Sequence, residues 1–457
     1  MKHSPAAFPT KGPIQASYPR DWNKLQTAWE EAFRALGYFH TSYGTDGQGI
    51  GGTTTTNAID SRNGKGERSH AGKAYLQKAR GRDNLTIVTE ARVRKVSFEH
   101  TNGTHNKLRA TSVLYEKDGQ SVAAGARREV VLCAGVFGSP QLLEVSGIGN
   151  QNVLVKAGVE CLFHLPSVGE NLQDHFNFGP SIEVESSLDI IDGLASDRAR
   201  ANAAQTEYNS HRTGVLSEGT AYSYAYWPLQ LFETPSERVA LEDLVEKCSP
   251  DLAPLLKLQF DFNRRMLQHP REASATVALL PARRYVRPDD SAAGKYMTVL
   301  AMLAHPFSRG SSHIISQDPA DHPTIDMNYL SHPLDLEVLA RHVIHIERFL
   351  DNPQFSQIMQ PSGRWFPDGI DPAQRSQQDL EQLIRKHGAT NYHPCGTCVM
   401  ASADLDGVVD AELFVRGVEN LRVCDASIFP IIPRGNILST VYAVAEKGAE
   451  TIGDRYK

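Results

Sequence analysis

Apolar residues recur every three or four positions in several parts of the chain, which predicts amphipathic helices. Between Asp21 and Leu36 they form one face, and Gly37 follows as a helix stop. At Ser376 a similar pattern begins with a residue suited to an N-cap, and it ends before Gly388. Helices are predicted at residues 21–36, 68–76, 186–212, 336–350, 376–387 and 438–453.

Short runs rich in β-branched and aromatic residues lie between turn residues and predict strands. These runs are residues 84–89, 93–98, 111–116, 129–133, 258–262 and 297–304. Asp118 and Gly119 predict the turn of a hairpin. A glycine turn after Cys133 is expected to lead into a helix started by Pro140.

Residues 47–52 satisfy the GxGxxG pattern that can hold the pyrophosphate of a dinucleotide. That role needs a strand before the glycines and a helix after them. Residues 43–46 do not have a strand pattern, and four threonines follow Gly52. We therefore predict a glycine-rich loop without a phosphate-binding role, and no other stretch of the sequence is a candidate.

The composition narrows the classes of protein that fit. The 457 residues are enough for two or three domain-sized units, and the formal net charge of -6 argues against a general nucleic-acid-binding protein. No apolar run could span a membrane and the first residues lack an apolar signal core, so a cytoplasmic location is the default expectation. Cys395 and Cys398 form a lone CxxC, which we interpret as buried small residues, with no metal site predicted.

His393 is the first candidate for chemistry, because a histidine can take up a proton near neutral pH. Gly396 and Thr397 predict a tight turn that would hold it on an ordered loop. Asn436 precedes the predicted helix that starts at Leu438, whose free N–H groups would favour an anion or a partly negative ring edge. Two simpler interpretations remain: His393 could cap a turn, and Asn436 could be an N-cap.

Several spaced segments resemble one family. The stretch from Tyr392 through His393 to Met400, and Asp425-Ala426-Ser427 followed by Asn436, are similar to the C-terminal signature of the glucose–methanol–choline (GMC) flavin oxidoreductases. Residues 133–149 and 168–175 also resemble that family. The resemblance implies an FAD cofactor and a small-molecule partner, a small or aromatic alcohol. From the net charge and the lack of a long apolar run, neither a nucleic-acid nor a membrane partner is expected.

The resemblance also implies roles for single residues. His393 would accept the hydroxyl proton of the alcohol while hydride passes to the flavin N5, and Asn436 would be the second polar group beside it. The backbone of Val93 would meet the adenine end of FAD. Asp425, Ala426 and the helix start at Leu438 would contact the cofactor as well. His175 is predicted to be a hydrogen-bonded structural residue, because its motif contains no nucleophile or partner pair.

The implied fold class is α+β, with a partial FAD/NAD(P)-binding-like domain and a substrate domain of antiparallel sheet and flanking helices. Residues 1–84 are expected to form an opening segment and a remnant of the FAD-binding region. Residues 85–170 together with 390–457 would form the cofactor-side domain, and residues 171–389 the substrate-binding domain.

The strand–GxGxxG–helix unit that opens family members has no counterpart in this sequence. The sequence is then either an incomplete gene model or a chain that has lost its main grip on FAD. Two other functions remain open: a catalytically silent relative that serves as a binding or scaffold protein, and a lyase that uses His393 as a base without net redox change.

Overall fold

The computed structural model describes residues 12–20, 22–38, 40–41, 50–101, 107–188, 190–192, 194, 197–231, 233–248, 252–285 and 294–457. Helices in this part of the chain are α1 Lys24–Ala35, α2 Gln77–Ala79, α3 Gly135–Val145, α4 Gln151–Lys156, α5 Arg198–His211, α6 Pro235–Lys247, α7 Pro254–Gln268, α8 Pro333–Leu350, α9 Pro353–Ser356, α10 Gln377–His387 and α11 Leu438–Arg455. A single π-type turn, Gly72–Leu76, leads into α2. None of these helices is both long enough and apolar enough to cross a lipid bilayer.

Strands lie between these helices, singly or several in a row. They are β1 His40–Thr41, β2 Gly51–Thr54, β3 Ile59–Asp60, β4 Glu67–Arg68, β5 Arg92–His100, β6 Leu108–Lys117, β7 Gln120–Gly125, β8 Val130–Leu132, β9 Ile148–Gly149, β10 Phe163–His164, β11 Phe176–Phe178, β12 Ser181–Val184, β13 Ser223–Trp227, β14 Ala275–Leu280, β15 Lys295–Leu303, β16 Ser311–His313, β17 Thr324–Asp326, β18 Trp365–Phe366, β19 Ala389–Thr390 and β20 Leu421–Val423.

The largest sheet is built from segments spread over most of the chain. Its order is β1-β2-β13-β14-β15-β11-β19, and β12 pairs with both β15 and β18. The neighbours from β2 to β19 are antiparallel. Alternate residues of a strand point to the same side of the sheet. On one side these residues are apolar, and that face packs against α1 and α8. We call the resulting apolar cluster the sheet core.

Helix α1 shows why this core forms. Asn23 and Gln26 make a reciprocal capping box at its start, which fixes the first turn. Trp29 and Phe33 on its inner face are fully buried against Trp227 and Phe349. The predicted helix is therefore confirmed, and its apolar face contributes to the sheet core.

A smaller core joins two distant parts of the chain. Strands β5, β6 and β7 form an antiparallel meander, with Asp118 and Gly119 at positive φ in the predicted hairpin turn. Strands β8 and β20 pair in parallel, so residues near 130 meet residues near 422. Apolar residues from both segments, with Cys395, Cys398 and Val399, form what we call the smaller core.

Arg422 is fully buried in the smaller core. Its Nε donates to Glu129 Oε2 at 2.8 Å, and its guanidinium lies 3.6 Å from the ring centre of Phe414. A buried charge of this kind is tolerated because it is paired and stacked on an aromatic face.

Two strand predictions are wrong. Residues 84–89 are not in a strand, and Ile87 and Val88 are exposed without a neighbouring strand in the described part of the chain. Residues 258–262 lie inside α7, whose buried positions 259, 260, 263 and 267 follow the helical repeat. Five residues are too few to distinguish the two periods, and the helix extends over fifteen.

Three predictions need smaller corrections. Pro140 lies inside α3 rather than at its start. In α5 the helix begins at Arg198, later than the predicted 186. Gly51 and Gly52 belong to β2, where a Cβ on Gly52 would lie 2.8 Å from the Phe33 ring. Residues 47–49 of the predicted glycine-rich loop lie outside the described residues.

The α+β fold class is confirmed by this mixture of helices and antiparallel sheets. The domain boundaries stay a prediction. The packing bears on the first boundary: α1 contributes to the sheet core and β2 is a strand of the largest sheet, although both precede residue 85.

Candidate active site

Two chain segments, residues 172–178 and 389–396, run side by side from one core to the other. We call this pair of segments the crossing. Gln173 and Cys395 exchange two backbone hydrogen bonds of 2.9 Å. A few residues further, Phe176 is opposite Thr390 in the β11–β19 pair. Between these two fixed points, two residues on one segment face four on the other, so the second segment must bulge.

The bulge positions the first candidate base. Tyr392 has a φ of 60° and is 83% exposed, and its N–H donates to Thr390 Oγ1 at 2.8 Å. The residue after it, His393, turns inward and is only 9% exposed. Bulges re-aim side chains in this way and are frequent beside active sites.

His393 is held from three directions. Its backbone N–H donates to Asp174 Oδ1 at 2.9 Å. Its ring Nδ1 lies 2.9 Å from Nδ1 of His175, with the two rings nearly perpendicular at 89°. Nδ2 of Asn391 is 3.3 Å from the same ring nitrogen, and Asn177 donates to Asn391 Oδ1 at 3.2 Å.

Asp174 fixes the bulge to the rest of the site. Besides the N–H of His393, it accepts hydrogen bonds from the hydroxyls of Tyr329 and Thr390. Burial and then the Asp174 charge raise the pKa of Tyr329, so that its hydroxyl keeps the proton it donates. Three groups therefore share one carboxylate, which gives the His393 loop a single arrangement.

Both imidazoles are neutral at physiological pH. Burial lowers the pKa of His393, and the Asp174 charge opposes this in part. Burial, followed by repulsion from His393 and His305, lowers the pKa of His175 to about 3. A neutral imidazole has a free lone pair, so the pair can take up a proton.

Asn436 is exposed and does not cap α11. The cap position is Ile437, and no side chain caps the helix start, so the N-cap interpretation of Asn436 is wrong. Its side chain hydrogen-bonds Tyr224, whose pKa is raised mainly by burial and lowered in part by this contact. Among the hydrogen bonds of the described residues, none joins Asn436 to His393.

Three of the four predicted cofactor residues lie in one region. Asp425 accepts from the Gly135 N–H at 2.9 Å and from the Ser139 hydroxyl at 2.5 Å. The carbonyl of Ala426 accepts the Gly396 N–H at 3.1 Å, which connects this region to the His393 loop. Leu438 is the first residue of α11 and is 45% exposed.

Val93 is separate from that group. It lies on β5, which is an edge strand of the meander, beside a register shift between Val93 and Lys95. An edge strand has backbone donors and acceptors that no neighbouring strand uses, which suits contacts to an adenine ring.

The backbone N–H groups at the starts of α3 and α11 show whether these residues fit FAD. The first N–H of α3 already donates to Asp425, so that helix start is filled by a carboxylate. The start of α11 has no side-chain cap and is exposed, so its N–H groups can favour the negative edge of a flavin. The residues therefore fit the flavin end, whereas Gly51 and Gly52 lie in a strand and supply no phosphate loop.

The CxxC cysteines pack in the smaller core. Cys395 and Cys398 are fully buried, and burial raises the pKa of both thiols. They support the backbone of the His393 loop, since the N–H groups of Cys395 and Cys398 bond to Gln173 and Ser427.

The contacts of His393 with His175, Asn391 and Asp174 did not emerge from the sequence. His175 was predicted to be a structural residue apart from the chemistry, and the structure instead places it against the candidate base. The two histidines are 218 residues apart, so no local pattern relates them. The only signal was that both lie in segments singled out for family resemblance, at 168–175 and 392–400.

Comparisons with known proteins identify relatives. Residues 7–177 and 306–445 match the N-terminal and C-terminal sequence models of GMC oxidoreductases. An oxygen-dependent choline dehydrogenase from Chromohalobacter salexigens is 31% identical, over 97% of this chain and 70% of the relative. Versicolorin B synthase from Emericella nidulans is 29% identical, over 97% of this chain and 63% of the relative. A solved fungal aryl-alcohol oxidase superposes with a TM-score of 0.79 and 25% identity, covering 98% of this chain and 73% of that one.

Proposed function

The chain belongs to the GMC oxidoreductase family of FAD-dependent enzymes, and on this basis we propose that it oxidises the CH–OH group of a small or aromatic alcohol. In this proposal His393 takes the hydroxyl proton of the alcohol. The products are the carbonyl compound and the proton held on His393, and bound FAD supplies the acceptor for the hydride that leaves the carbon.

The observation that carries the proposal is the state of His393. It is a nearly buried, neutral imidazole on a bulge fixed by Asp174. Its Nδ1 is engaged by neighbours, and none of the hydrogen bonds among the described residues uses Nε2. A base needs this arrangement: a fixed ring, an uncharged form and one nitrogen left for the substrate.

Asn436 is proposed to orient the alkoxide oxygen. It lies on the segment between the His393 region and α11, and its amide contacts Tyr224 on β13. An amide N–H that donates to the developing alkoxide stabilises charge where it appears in the transition state.

The residues that would hold FAD are Val93, Asp425, Ala426 and the start of α11 at Leu438. Val93 offers backbone groups at the adenine end. The N–H groups at the start of α11 favour negative charge on the flavin ring edge, and Asp425 fixes the glycine turn at Gly135 beside it.

A second candidate function is a base-catalysed reaction without net redox change. It is favoured by the relative that is named a synthase, versicolorin B synthase, which matches 97% of this chain. The same His393 would then move a proton while the flavin stays oxidised.

One experiment separates these functions. The chain is loaded with FAD, mixed anaerobically with a panel of small and aromatic alcohols, and followed by flavin absorbance and product analysis. Oxidation predicts loss of the oxidised-flavin spectrum together with carbonyl product. A deuterium at the carbinol carbon should slow that loss, because the C–H bond breaks in the same step.

The other outcomes are equally informative. Product formation with the flavin still oxidised would favour the lyase. A flavin that stays oxidised and a panel returned unchanged would contradict the proposed function. His393→Ala tests whether this histidine is the base in either reaction. Its matched control is His100→Ala, which changes an exposed histidine at the end of β5, far along the chain from the site.

A further inference from the structure

Cys133 and Cys424 lie side by side, although they are far apart in the sequence. Strands β8 and β20 pair in parallel, and the last pair of residues in their register is Leu132 with Val423. The next residue after each strand is a cysteine, so the same register places the two cysteines opposite each other. The contact continues past the strand ends, because the N–H of Cys424 donates to the carbonyl of Leu132 at 2.9 Å.

A second set of contacts holds the two segments together just after the cysteines. Asp425 accepts the N–H of Gly135 at 2.9 Å and the hydroxyl of Ser139 at 2.5 Å. The cysteine pair is therefore fixed from both ends. Neighbouring strands lie about 4.8 Å apart, and a disulfide needs Cα atoms about 4.4–6.8 Å apart. The backbone thus already has the spacing that a disulfide requires.

The two side chains also lie on the same face, because residues opposite each other in paired strands point to the same side. Cys133 is exposed, as is Val131 two positions before it, and Cys424 is partly buried. The thiols are in hydrogen-bonding contact, with the S–H of Cys133 donating to the sulfur of Cys424. Behind the pair is α11, where a Cβ on Gly448 would lie 2.5 Å from the Cys424 sulfur. The pair is therefore open to solvent from the Cys133 side.

The charges around the pair favour loss of a proton from Cys424 first. The hydrogen bond from Cys133 lowers the pKa of Cys424. Burial and the Asp425 charge oppose this, and the Arg422 charge supports it. The same hydrogen bond raises the pKa of Cys133, as do burial and the Asp425 charge. A thiolate is the nucleophilic form of cysteine, and a thiolate beside a second thiol is typical of redox-sensitive cysteines.

We propose that Cys133 and Cys424 are a redox-active dithiol, in which hydrogen peroxide joins the two sulfurs in a disulfide that fastens β8 to β20. The Cys424 thiolate attacks one peroxide oxygen, the O–O bond breaks, and the hydroxide that leaves takes up the proton that Cys424 had released. The Cys133 sulfur then attacks the sulfenic acid on Cys424, and the sulfenic hydroxyl leaves with the Cys133 proton as a second water. Two thiols lose two electrons in total, and one peroxide is reduced to two waters.

The disulfide lies where both strands lead to predicted cofactor residues, since Asp425 follows Cys424 directly and contacts Gly135. A bond between residues so distant in sequence removes many conformations from the unfolded chain, so it stabilises the smaller core. Because the bond is exposed on the Cys133 side, a dithiol reductant reverses it. The inference is independent of the proposed function, because the two thiols and peroxide are the only reactants.

The CxxC spacing in the sequence draws attention to a different pair, Cys395 and Cys398. Both residues are fully buried, and burial raises the pKa of both thiols. A protonated thiol enclosed in a core is inert. Cys161 is partly buried, and burial raises the pKa of its thiol as well, which makes it a suitable control.

The first test uses the folded, fully reduced wild-type chain and one equivalent of hydrogen peroxide. Digestion without reductant and mass spectrometry should find the Cys133 peptide bonded to the Cys424 peptide, and the thiol count of the denatured chain should fall by two from six. The same treatment in urea should give little of this bond, because only folding brings the two residues together. No bonded peptides from the folded chain, or an equal yield in urea, would overturn the inference.

Two single substitutions identify the nucleophile. Cys133→Ser leaves no thiol to attack the sulfenic acid on Cys424, so that acid should accumulate and react with dimedone. Cys424→Ser should give little dimedone product, because burial and the Asp425 charge keep the Cys133 thiol protonated. Cys161→Ser is the matched control and should form the disulfide as the wild type does. Equal labelling of the two variants, or loss of the bond in Cys161→Ser, would contradict the proposed reaction.

Thermal unfolding measures what the bond does to the fold. The oxidised wild type should melt about 5–15 °C above the reduced chain, and dithiothreitol should remove the difference. Cys133→Ser and Cys424→Ser should melt at the same temperature with and without peroxide. A bonded chain that melts no higher than the reduced one would overturn the role of the bond in fastening β8 to β20. If a variant does not fold, the wild-type measurements still decide, since they need no substitution.

Discussion

The sheet core and the smaller core are built in different ways. The sheet core is an antiparallel sheet covered by α1 and α8, with aromatic residues such as Trp29, Phe33 and Trp227 in contact. The smaller core depends on a parallel pair of three-residue strands, β8 and β20. It also contains the buried Arg422–Glu129 pair, and Val131 and Leu438 at its edge are exposed.

The difference separates two tasks. His175, Asp174 and Asn177 lie on or beside β11 of the large sheet, so the sheet core fixes the groups around the base. Asp425, Ala426 and Leu438 belong to the side of the smaller core, where the cofactor would bind. We infer that the base is held in place even without FAD, whereas the stability of the smaller core depends more on the cofactor.

The strongest way to break this comparison is to remove the base and leave both cores intact. His393→Ala should reduce turnover about 10²- to 10⁴-fold, the usual contribution of a positioned general base. Steady-state kinetics with FAD measure this, and unfolding curves should show an intact fold. Near-normal turnover in His393→Ala would mean that another group takes the proton.

Two large-to-small substitutions sharpen the comparison between the cores. Phe33→Ala in the sheet core should lower the free energy of unfolding by about 3–5 kcal/mol, and Leu421→Ala in the smaller core by about 2–5 kcal/mol. Both side chains are fully buried. Only Leu421→Ala should also weaken FAD retention on gel filtration, because β20 leads directly into Asp425.

Unfolding of Phe33→Ala and Leu421→Ala measured with added FAD serves as the internal control for these two variants. A ligand that binds only the folded state raises stability in proportion to the logarithm of its concentration over Kd. We expect the 457-residue chain to hold FAD weakly, since the described residues supply no phosphate loop. Equal loss of FAD in the two variants would contradict the assignment of separate tasks.

Asn436→Ala should have a smaller effect on rate. Loss of a hydrogen bond to a charged oxygen costs about 1.5–3 kcal/mol, roughly ten- to hundredfold in turnover. Stability should fall by about 0.5–1.5 kcal/mol, because the variant also loses the hydrogen bond to Tyr224, although Asn436 caps no helix. The matched control is Asn352→Ala, which removes a true N-cap from α9 and should cost about 1 kcal/mol of stability with turnover unchanged.

The mildest effect is expected from pH at a contact of α3. Burial lowers the pKa of His313, but hydrogen bonds to Glu144 and Glu170 raise it to about 9 overall. A folded pKa above the ordinary value of 6.5 means that the stabilisation is complete below about pH 6.5 and is lost as pH rises through about 9. Burial raises the pKa of Glu144, so its ionisation acts in the same direction.

Unfolding curves measured from pH 6 to pH 9.5 should therefore show the stability of the wild type falling, mainly between about pH 6.5 and about pH 9. His313→Gln should flatten this dependence, and the exposed His322→Gln should leave it unchanged. A wild-type stability that rises over the same interval would refute the assignment.

The sequence predicted local features better than distant contacts. The capping residues at Ser376, the apolar face of α1 and the Asp118-Gly119 turn are properties of a few adjacent residues, and all three were predicted. The run at 84–89 looked like a strand because its residues are β-branched. A strand also needs a neighbour to pair with, and a composition rule does not contain that information.

The candidate site was predicted in the same uneven way. His393 was identified from its own chemistry and from family resemblance, and the structure places it on a fixed and nearly buried bulge. The contact with His175 depends on which strands become neighbours in the sheet and in what register. Strand neighbours and register are properties of the tertiary structure, and the local sequence around either histidine does not determine them.

The crossing has a consequence for how the protein reaches an active state during folding. His175 and His393 can meet only after a loop of 218 residues has closed and β11 and β19 have paired in one register. A slip by one residue would turn a side chain to the opposite face of the sheet. A chain that has collapsed but has not yet paired these strands is therefore expected to be inert, and the return of activity after dilution from denaturant would time the last long-range step of folding.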